Sequence, residues 1–186
     1  MTLPKVVMIS ISNNPISQYY KQKVEPSWID HGYKVDHFEA VTPEKLNSYS
    51  YLQFGKKRGT IDFTPTEIAC WYSHVECWVL ARSQPLLIIE HDIEHKRDID
   101  PSIFESDMAC LASSNKEGTR KLAGGAYYLT PDIAKKMVQD VKNMKSITYN
   151  SDAFIHNFCD KYGVWSQDKC YQVQNPKIGY TVVHNK

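Results

Sequence analysis

Four consecutive aliphatic residues, Leu86-Leu87-Ile88-Ile89, run directly into Glu90-His91-Asp92. A short run that is apolar at every position, bounded by turn-forming residues, is the pattern of a strand covered on both faces. Such strands belong to α/β sheets, where helices coat both sides. Side chains alternate along a strand, so Glu90 and Asp92 are expected to point the same way just past its end. Open α/β sheets bind ligands outside the carboxyl ends of their strands. Two hard oxygen ligands at that place suit Mg or Mn holding a phosphate. The competing reading is a solvated acidic turn, because E-x-D alone is a weak pattern.

The rest of the chain reads as strands alternating with helices, which predicts one α/β domain over residues 1–186. Lys5–Ser12 is a first strand, broken by Asn13-Asn14-Pro15, and Ser17–His31 is a helix ended by Gly32. Tyr33–Ala40 is a second strand, and residues 41–63 read as a loop. Thr64-Pro65-Thr66-Glu67 is a helix start with a capping box, and the helix should reach about Ser83. Its apolar face is expected from Ile68, Trp71, Val75, Trp78 and Val79. Beyond Leu86–Ile89, strands are expected at Met108–Ala112 and Gly124–Leu129, around a basic loop at Asn115–Leu122. Helices follow from Thr130-Pro131 to Asn143 and from a Ser151 cap to Tyr162. Short strands are expected near Lys169–Val173 and Tyr180–Val183.

Composition narrows the function classes. With 186 residues and 42% hydrophobic content, the chain is large enough for a real core. A net charge of +1 gives no bulk attraction to nucleic acid or membrane, although a local basic surface stays open. No apolar run approaches the roughly 20 residues of a membrane span, and the first residues show no signal-peptide pattern. The five cysteines (70, 77, 110, 159 and 170) are odd in number and form no C-x-x-C pair. They argue against a zinc ribbon or a disulfide scaffold and for a cytoplasmic location.

Other residues carry a chemical and a plain structural reading side by side. Glu67 and His74 share one helix face; on physics alone, a capping acid and a hydrogen-bonded core histidine describe them best. Asp152, at a helix start, is either a carboxylate stabilised by the helix dipole or a general base for an acceptor hydroxyl, and both readings stand. His91 and His95 lie beside the acids, where each is either an assisting group or, more commonly for a lone histidine in a polar loop, simply solvated. Gly124 and Gly125 permit close backbone approach to substrate or neighbouring chain. Lys56, Lys57, Arg58, Lys116, Arg120 and Lys121 fall in two loops, facing phosphate or simply water.

Assembled, these pieces resemble glycosyltransferase family 25, the family of lipopolysaccharide-type galactosyltransferases and collagen-type glycosyltransferase domains. Thr66-Glu67-Ile68-Ala69-Cys70-Trp71-Tyr72-Ser73-His74 is similar to the family's G-E-I-G-C-x-x-S-H helix. Leu87-Ile88-Ile89-Glu90-His91-Asp92-Ile93 is similar to its L-I-L-E-D-D-I. Gly125–Thr130, the Lys-containing helix after it, Asp152 and Gln174-Asn175-Pro176 resemble the downstream blocks. The resemblance implies a single GT-A-like, Rossmann-like domain with a mostly parallel mixed sheet flanked by helices. It implies inverting sugar transfer from a nucleotide-sugar, most naturally a UDP-sugar, with Mn2+ or Mg2+. By position, it makes Glu90 and Asp92 the metal acids and Asp152, Glu67 and His74 the catalytic set. Ser10, Asn13 and Gly125 become the donor-binding positions.

The chain departs from that family at three places. His91 stands for an Asp, Ala69 for a common Gly, and Ser12-Asn13-Asn14-Pro15 for an Asp-Arg type of turn. The hydroxyl acceptor is left open between a glycan, a lipopolysaccharide core and a hydroxymethylated DNA base of the kind phage enzymes modify. A catalytically degenerate binding module is the alternative to an enzyme. A nucleotide hydrolase ranks last, since no G-x-x-x-x-G-K loop is present.

Overall fold

The computed structural model describes residues 3–57, 59–111, 114–116, 119–121 and 124–166, with backbone alone at 114–116 and 119–121. The strands are β1 (Lys5–Ser10), β2 (Val35–Glu39), β3 (Leu86–Glu90), β4 (Met108–Cys110), β5 (Ser114–Lys116), β6 (Thr119–Lys121), β7 (Ala126–Leu129) and β8 (Val164–Trp165). The α-helices are α1 (Pro15–Asp30), α2 (Pro65–Ala81), α3 (Pro131–Asn143) and α4 (Ser151–Tyr162). Six strands form one mixed sheet in the order β2-β1-β3-β7-β4-β8. β2, β1 and β3 are parallel, β4 and β8 are parallel, and β7 runs against both of its neighbours. This is the mixed, helix-flanked α/β sheet expected from the sequence.

The fully apolar β3 is explained by cover on both faces. Leu86 and Ile88 face a core built with Trp71, Trp78, Met137 and Phe154 from α2, α3 and α4. Leu87 and Ile89 face the other way, onto Val24 and Trp28 of α1. β1 splits likewise, with Val7 and Ile9 towards the first core and Val6 and Met8 towards the second. Burying a large aliphatic side chain contributes roughly 2 kcal/mol, so each face is a major stabilising layer. The chain crosses from α1 on one face to α2 on the other between β1 and β3. The crevice outside the carboxyl ends of those two strands is therefore a topological switch point.

Local structure corrects several boundaries. Asn13-Asn14-Pro15 does more than break β1: Asn14 Oδ1 accepts from the Ser17 amide at 3.0 Å, and Pro15 opens α1. Pro and Asn end one element and start the next. Gly32, at φ 84°, lets the chain turn back after α1. Residues 41–63 include a 3-10 turn at Pro43–Ser48. The capping box forms as expected, with Thr64 and Glu67 bonded reciprocally. Within α2, Trp71, Val75 and Trp78 are buried, while Val79 is exposed.

The basic loop contains the antiparallel pair β5 and β6, whose polar sequence hid the strands. Thr130 makes no side-chain cap bond. Asn150, not Ser151, caps α4, accepting from the Ala153 amide at 3.0 Å. Ser151 instead is the first helical residue and is buried. Strand β8, only two residues long, is too short to leave a pattern in the sequence. The strands expected near 169–173 and 180–183, and Gln174-Asn175-Pro176, lie outside the described residues.

Candidate active site

Four strand ends meet at one rim of the sheet. β1 ends there at Ser10, β3 at Glu90 and β4 at Cys110, and the oppositely directed β7 begins there at Ala126. Ile9 sits opposite Glu90, and the Glu90 amide donates to the Gly125 carbonyl at 2.8 Å. Ser10 is buried, and its carbonyl accepts from the Ala40 amide at 2.8 Å. Asn13 is exposed in the turn leading to α1. Glu39, ending β2, braces that turn by accepting from the Ser12 amide at 3.1 Å and from the Ser12 hydroxyl. Ser10, Asn13, Gly125, Glu90 and Asp92 thus share one edge of the molecule.

α2 brings His74 to the same rim. His74 is fully enclosed, with Nε2 at 3.4 Å from Glu90 Oε1 and Nδ1 at 2.9 Å from the Tyr127 hydroxyl. Trp78 Nε1 donates to that same hydroxyl at 2.8 Å. Burial pulls the imidazole down, but Tyr127, Cys70 and Glu90 outweigh it and raise His74 well above its ordinary value. Burial likewise pushes Glu90 up, and the His74 bond and charge, with His91, overcome it and hold the carboxyl below the usual range. The two shifts describe one imidazolium–carboxylate pair. His74 is therefore a hydrogen-bonded core residue and a neighbour of the acids at once.

Asp92 is different in character. It is only 5% exposed, so the reading as a solvated turn fails. Its Oδ1 is buried without a hydrogen-bond partner. Burial, then the charge of Glu90, push its carboxyl up to about 8. On the α1 side, Tyr20 feels the charge of Asp92. His91 and His95, expected in solvent, are also buried. The His91 ring lies 6.2 Å from that of Tyr20, and its Nε2 has no partner. Apolar cover from α1, with Trp28 Nε1 donating to the Ile93 carbonyl at 2.7 Å, encloses this turn. Nothing in the local sequence signals that enclosure.

Asp152 reaches the group from the first turn of α4. Its Oδ1 accepts from the Gly124 amide at 3.2 Å. Burial, then Glu90, raise it to about 6, while His74 and the Gly124 bond act against the rise. A Cβ at Gly124 would sit 2.5 Å from Asp152 Oδ1, so the close approach requires glycine. Cys70, on α2, meets the start of α4, its Sγ 3.5 Å from Ser151 Oγ. The Cys70 Sγ, a His74 ring nitrogen and a Glu90 oxygen all fall within 4.8 Å of one another. The i, i+4 spacing of Cys70 and His74 on α2 is the sequence signal for this grouping.

Glu67 stands apart from this group in its contacts. Its oxygens take Lys57 Nζ at 2.6 and 2.7 Å and the Thr64 amide at 2.9 Å. Lys57 is thereby occupied in an ion pair. Arg58 lies outside the described residues, as do the side chains of Lys116, Arg120 and Lys121.

Asp92 Oδ1 is buried without a hydrogen-bond partner and its carboxyl feels the charge of Glu90, a combination that a positive ion would relieve. Among the described residues no helix is long and apolar enough to cross a membrane.

No protein-family model matches this sequence, and no curated protein matches it. Among solved structures, the chain is similar to a glycosyltransferase involved in the glycosylation of the major capsid of PBCV-1. The TM-score is 0.51 at 14% identity, covering 88% of this chain and 81% of that one. The likeness is one of fold.

Proposed function

We propose that this chain transfers a sugar from a nucleotide-sugar to a hydroxyl acceptor at the rim formed by Glu90, Asp92, Asp152 and Gly124-Gly125. The observation that carries the reading is the convergence of three enclosed or half-enclosed carboxyl groups at the switch point of a glycosyltransferase-like fold. Carboxyl groups pushed to different acidities by one environment are how a site divides its roles.

Asp152 is the general base in this reading. Its carboxyl, raised to about 6, is a better proton acceptor than an exposed aspartate yet stays ionised at neutral pH. The Gly124 amide holds Oδ1, leaving the other oxygen for the acceptor hydroxyl. His74 fixes the Glu90 carboxylate from behind. Glu90 and Asp92 would hold Mn2+ or Mg2+, which when bound neutralises charge on a departing nucleoside diphosphate. The turn at Ser12-Asn13, braced by Glu39, and Ser10 form the donor side of the crevice. A single displacement with Asp152 opposite the leaving group gives inversion.

The donor is proposed to be a UDP-sugar and the acceptor a glycan, as the family resemblance of the sequence implies; the structurally similar protein is itself involved in glycosylation of a major capsid. A hydroxymethylated DNA base is the other acceptor to test. Release of nucleoside diphosphate from a panel of nucleotide-sugars, with and without Mn2+, tests the reading. Metal-stimulated turnover of at least one donor supports it. Binding of a donor without turnover, unaltered in Asp152→Asn, identifies a binding module instead.

A further inference from the structure

We propose that Cys70, His74 and Glu90 form a second cation site, one that takes a thiophilic, tetrahedral ion such as Zn2+. This goes beyond sugar transfer and does not rest on it. The site shares Glu90 with the all-oxygen set proposed above and differs from it in adding a thiolate and an imidazole. Thiolate and imidazole select zinc over magnesium or manganese.

Cys70 and His74 are one helical turn apart on α2, so their side chains leave the same face. That i, i+4 spacing is the one by which a single helix supplies two ligands to one ion. Glu90 comes from the end of β3, across the rim, as the third. The His74 Nε2 to Glu90 Oε1 separation is 3.4 Å. Two ligands at about 2.0 Å from a tetrahedral ion stand roughly that far apart. The three ligand atoms span no more than 4.8 Å, so short side-chain movements close the set.

The outer partners suit a metal-bound imidazole. His74 Nδ1 faces the Tyr127 hydroxyl at 2.9 Å, which also accepts from Trp78 Nε1. The tautomer that donates Nδ1–H to Tyr127 leaves the Nε2 lone pair directed at Glu90 and the ion. A hydrogen bond on the far nitrogen is how proteins orient a ligating histidine. Three protein ligands leave one position for water or substrate, the arrangement of catalytic rather than structural zinc. On binding, the Cys70 thiol proton and the proton on His74 Nε2 go to solvent.

Cobalt substitution tests the proposal, since Co2+ takes zinc positions and reports thiolate ligation by absorbance. Full-length protein, freed of metal, is titrated with Co2+ and then with Zn2+. The expected result is one equivalent of Co2+ giving a thiolate-to-cobalt band in the near ultraviolet, with tetrahedral visible bands, displaced by Zn2+. Cys70→Ser should abolish the near-ultraviolet band, and Asp92→Asn should retain it. Tyr127→Phe, which keeps all three ligands, should weaken Zn2+ binding about 10-fold. Thermal melts of each apoprotein identify variants that fail to fold, and Asp92→Asn and Tyr127→Phe then carry the test. Absence of a thiolate band at one equivalent overturns the site, as does a band that survives in folded Cys70→Ser. Sugar transfer is not read in any arm, so failure here leaves the proposed function standing, and the converse also holds.

Discussion

His74 and Glu90, one from the middle of α2 and one from the end of β3, are held as a pair with Nε2 and Oε1 3.4 Å apart. The imidazole is 1% exposed, and its far side is locked to Tyr127. Removing one member of an enclosed ion pair leaves the other charge uncompensated. Glu90→Gln is therefore expected to destabilise the fold by on the order of 2 kcal/mol. Urea denaturation measures this, and a midpoint equal to wild type would show that the pair contributes nothing.

Gly124 sets the position of the proposed base. Alanine there places its Cβ 2.5 Å from Asp152 Oδ1 and 2.9 Å from Ile155 Cδ1. Asp152 must swing away, because Ile155 is packed in the core. The expected outcome of Gly124→Ala is a fall of about 10- to 100-fold in kcat, since displacements near 1 Å are that costly in a reacting geometry. The fold should lose only about 1 to 3 kcal/mol. Steady-state kinetics beside a thermal melt separates the two effects.

Glu67 divides the helix-start reading from a catalytic one. Its contacts are with Lys57 and Thr64. Glu67→Gln should cost about 1 kcal/mol through the weakened cap and reduce turnover less than about tenfold. A loss comparable to that of an Asp152 variant would return Glu67 to the catalytic set.

His95 imposes a pH dependence on stability. Burial, then the His31 charge, push its imidazole down to about 4, with Asp98 opposing. Its ring lies against His31, Trp28 and Tyr33. The unfolded histidine takes a proton near pH 6.5, whereas the folded one stays neutral to about 4. The unfolded state therefore binds more protons in that window, and stability falls as pH drops from 6.5 towards 4. The contribution is on the order of 2 kcal/mol. Denaturation across this range should show a shallower slope for His95→Phe than for wild type, and equal slopes would remove His95 from the account.

Trp28 anchors the acid-bearing turn from the opposite face. Its Nε1 donates to the Ile93 carbonyl at 2.7 Å, and Ser27 Oγ accepts from the His95 amide at 2.9 Å. Trp28→Phe keeps most of the apolar contact and deletes the donor. A loss of about 1 to 2 kcal/mol is expected, with a raised KM for donor. An unchanged KM would mean that the turn holds its shape without α1.

The elements most legible in the sequence were those whose local signals agree with their surroundings. Leu86–Ile89 was readable because cover by α1 and α2 demands apolar side chains on both faces. The capping box at Thr64 and Glu67 was readable because it is made within four residues. Boundaries failed where adjacent residues compete for a role, as Asn150 and Ser151 do at the start of α4. The burial of His91, Asp92 and His95 was illegible because α1 supplies the cover from far along the chain. The Glu90–Asp92 rim was suggested by position after a strand. Its meeting with Asp152 and His74 depends on the antiparallel insertion of β7, which delivers Gly124 to the same edge.

Sugar transfer by Asp152→Asn, measured at saturating donor alongside donor affinity, tests the central claim most directly. The account predicts that kcat falls by about 100- to 10,000-fold while donor binding stays within about threefold of wild type. Transfer at the wild-type rate by a folded Asp152→Asn protein would contradict it.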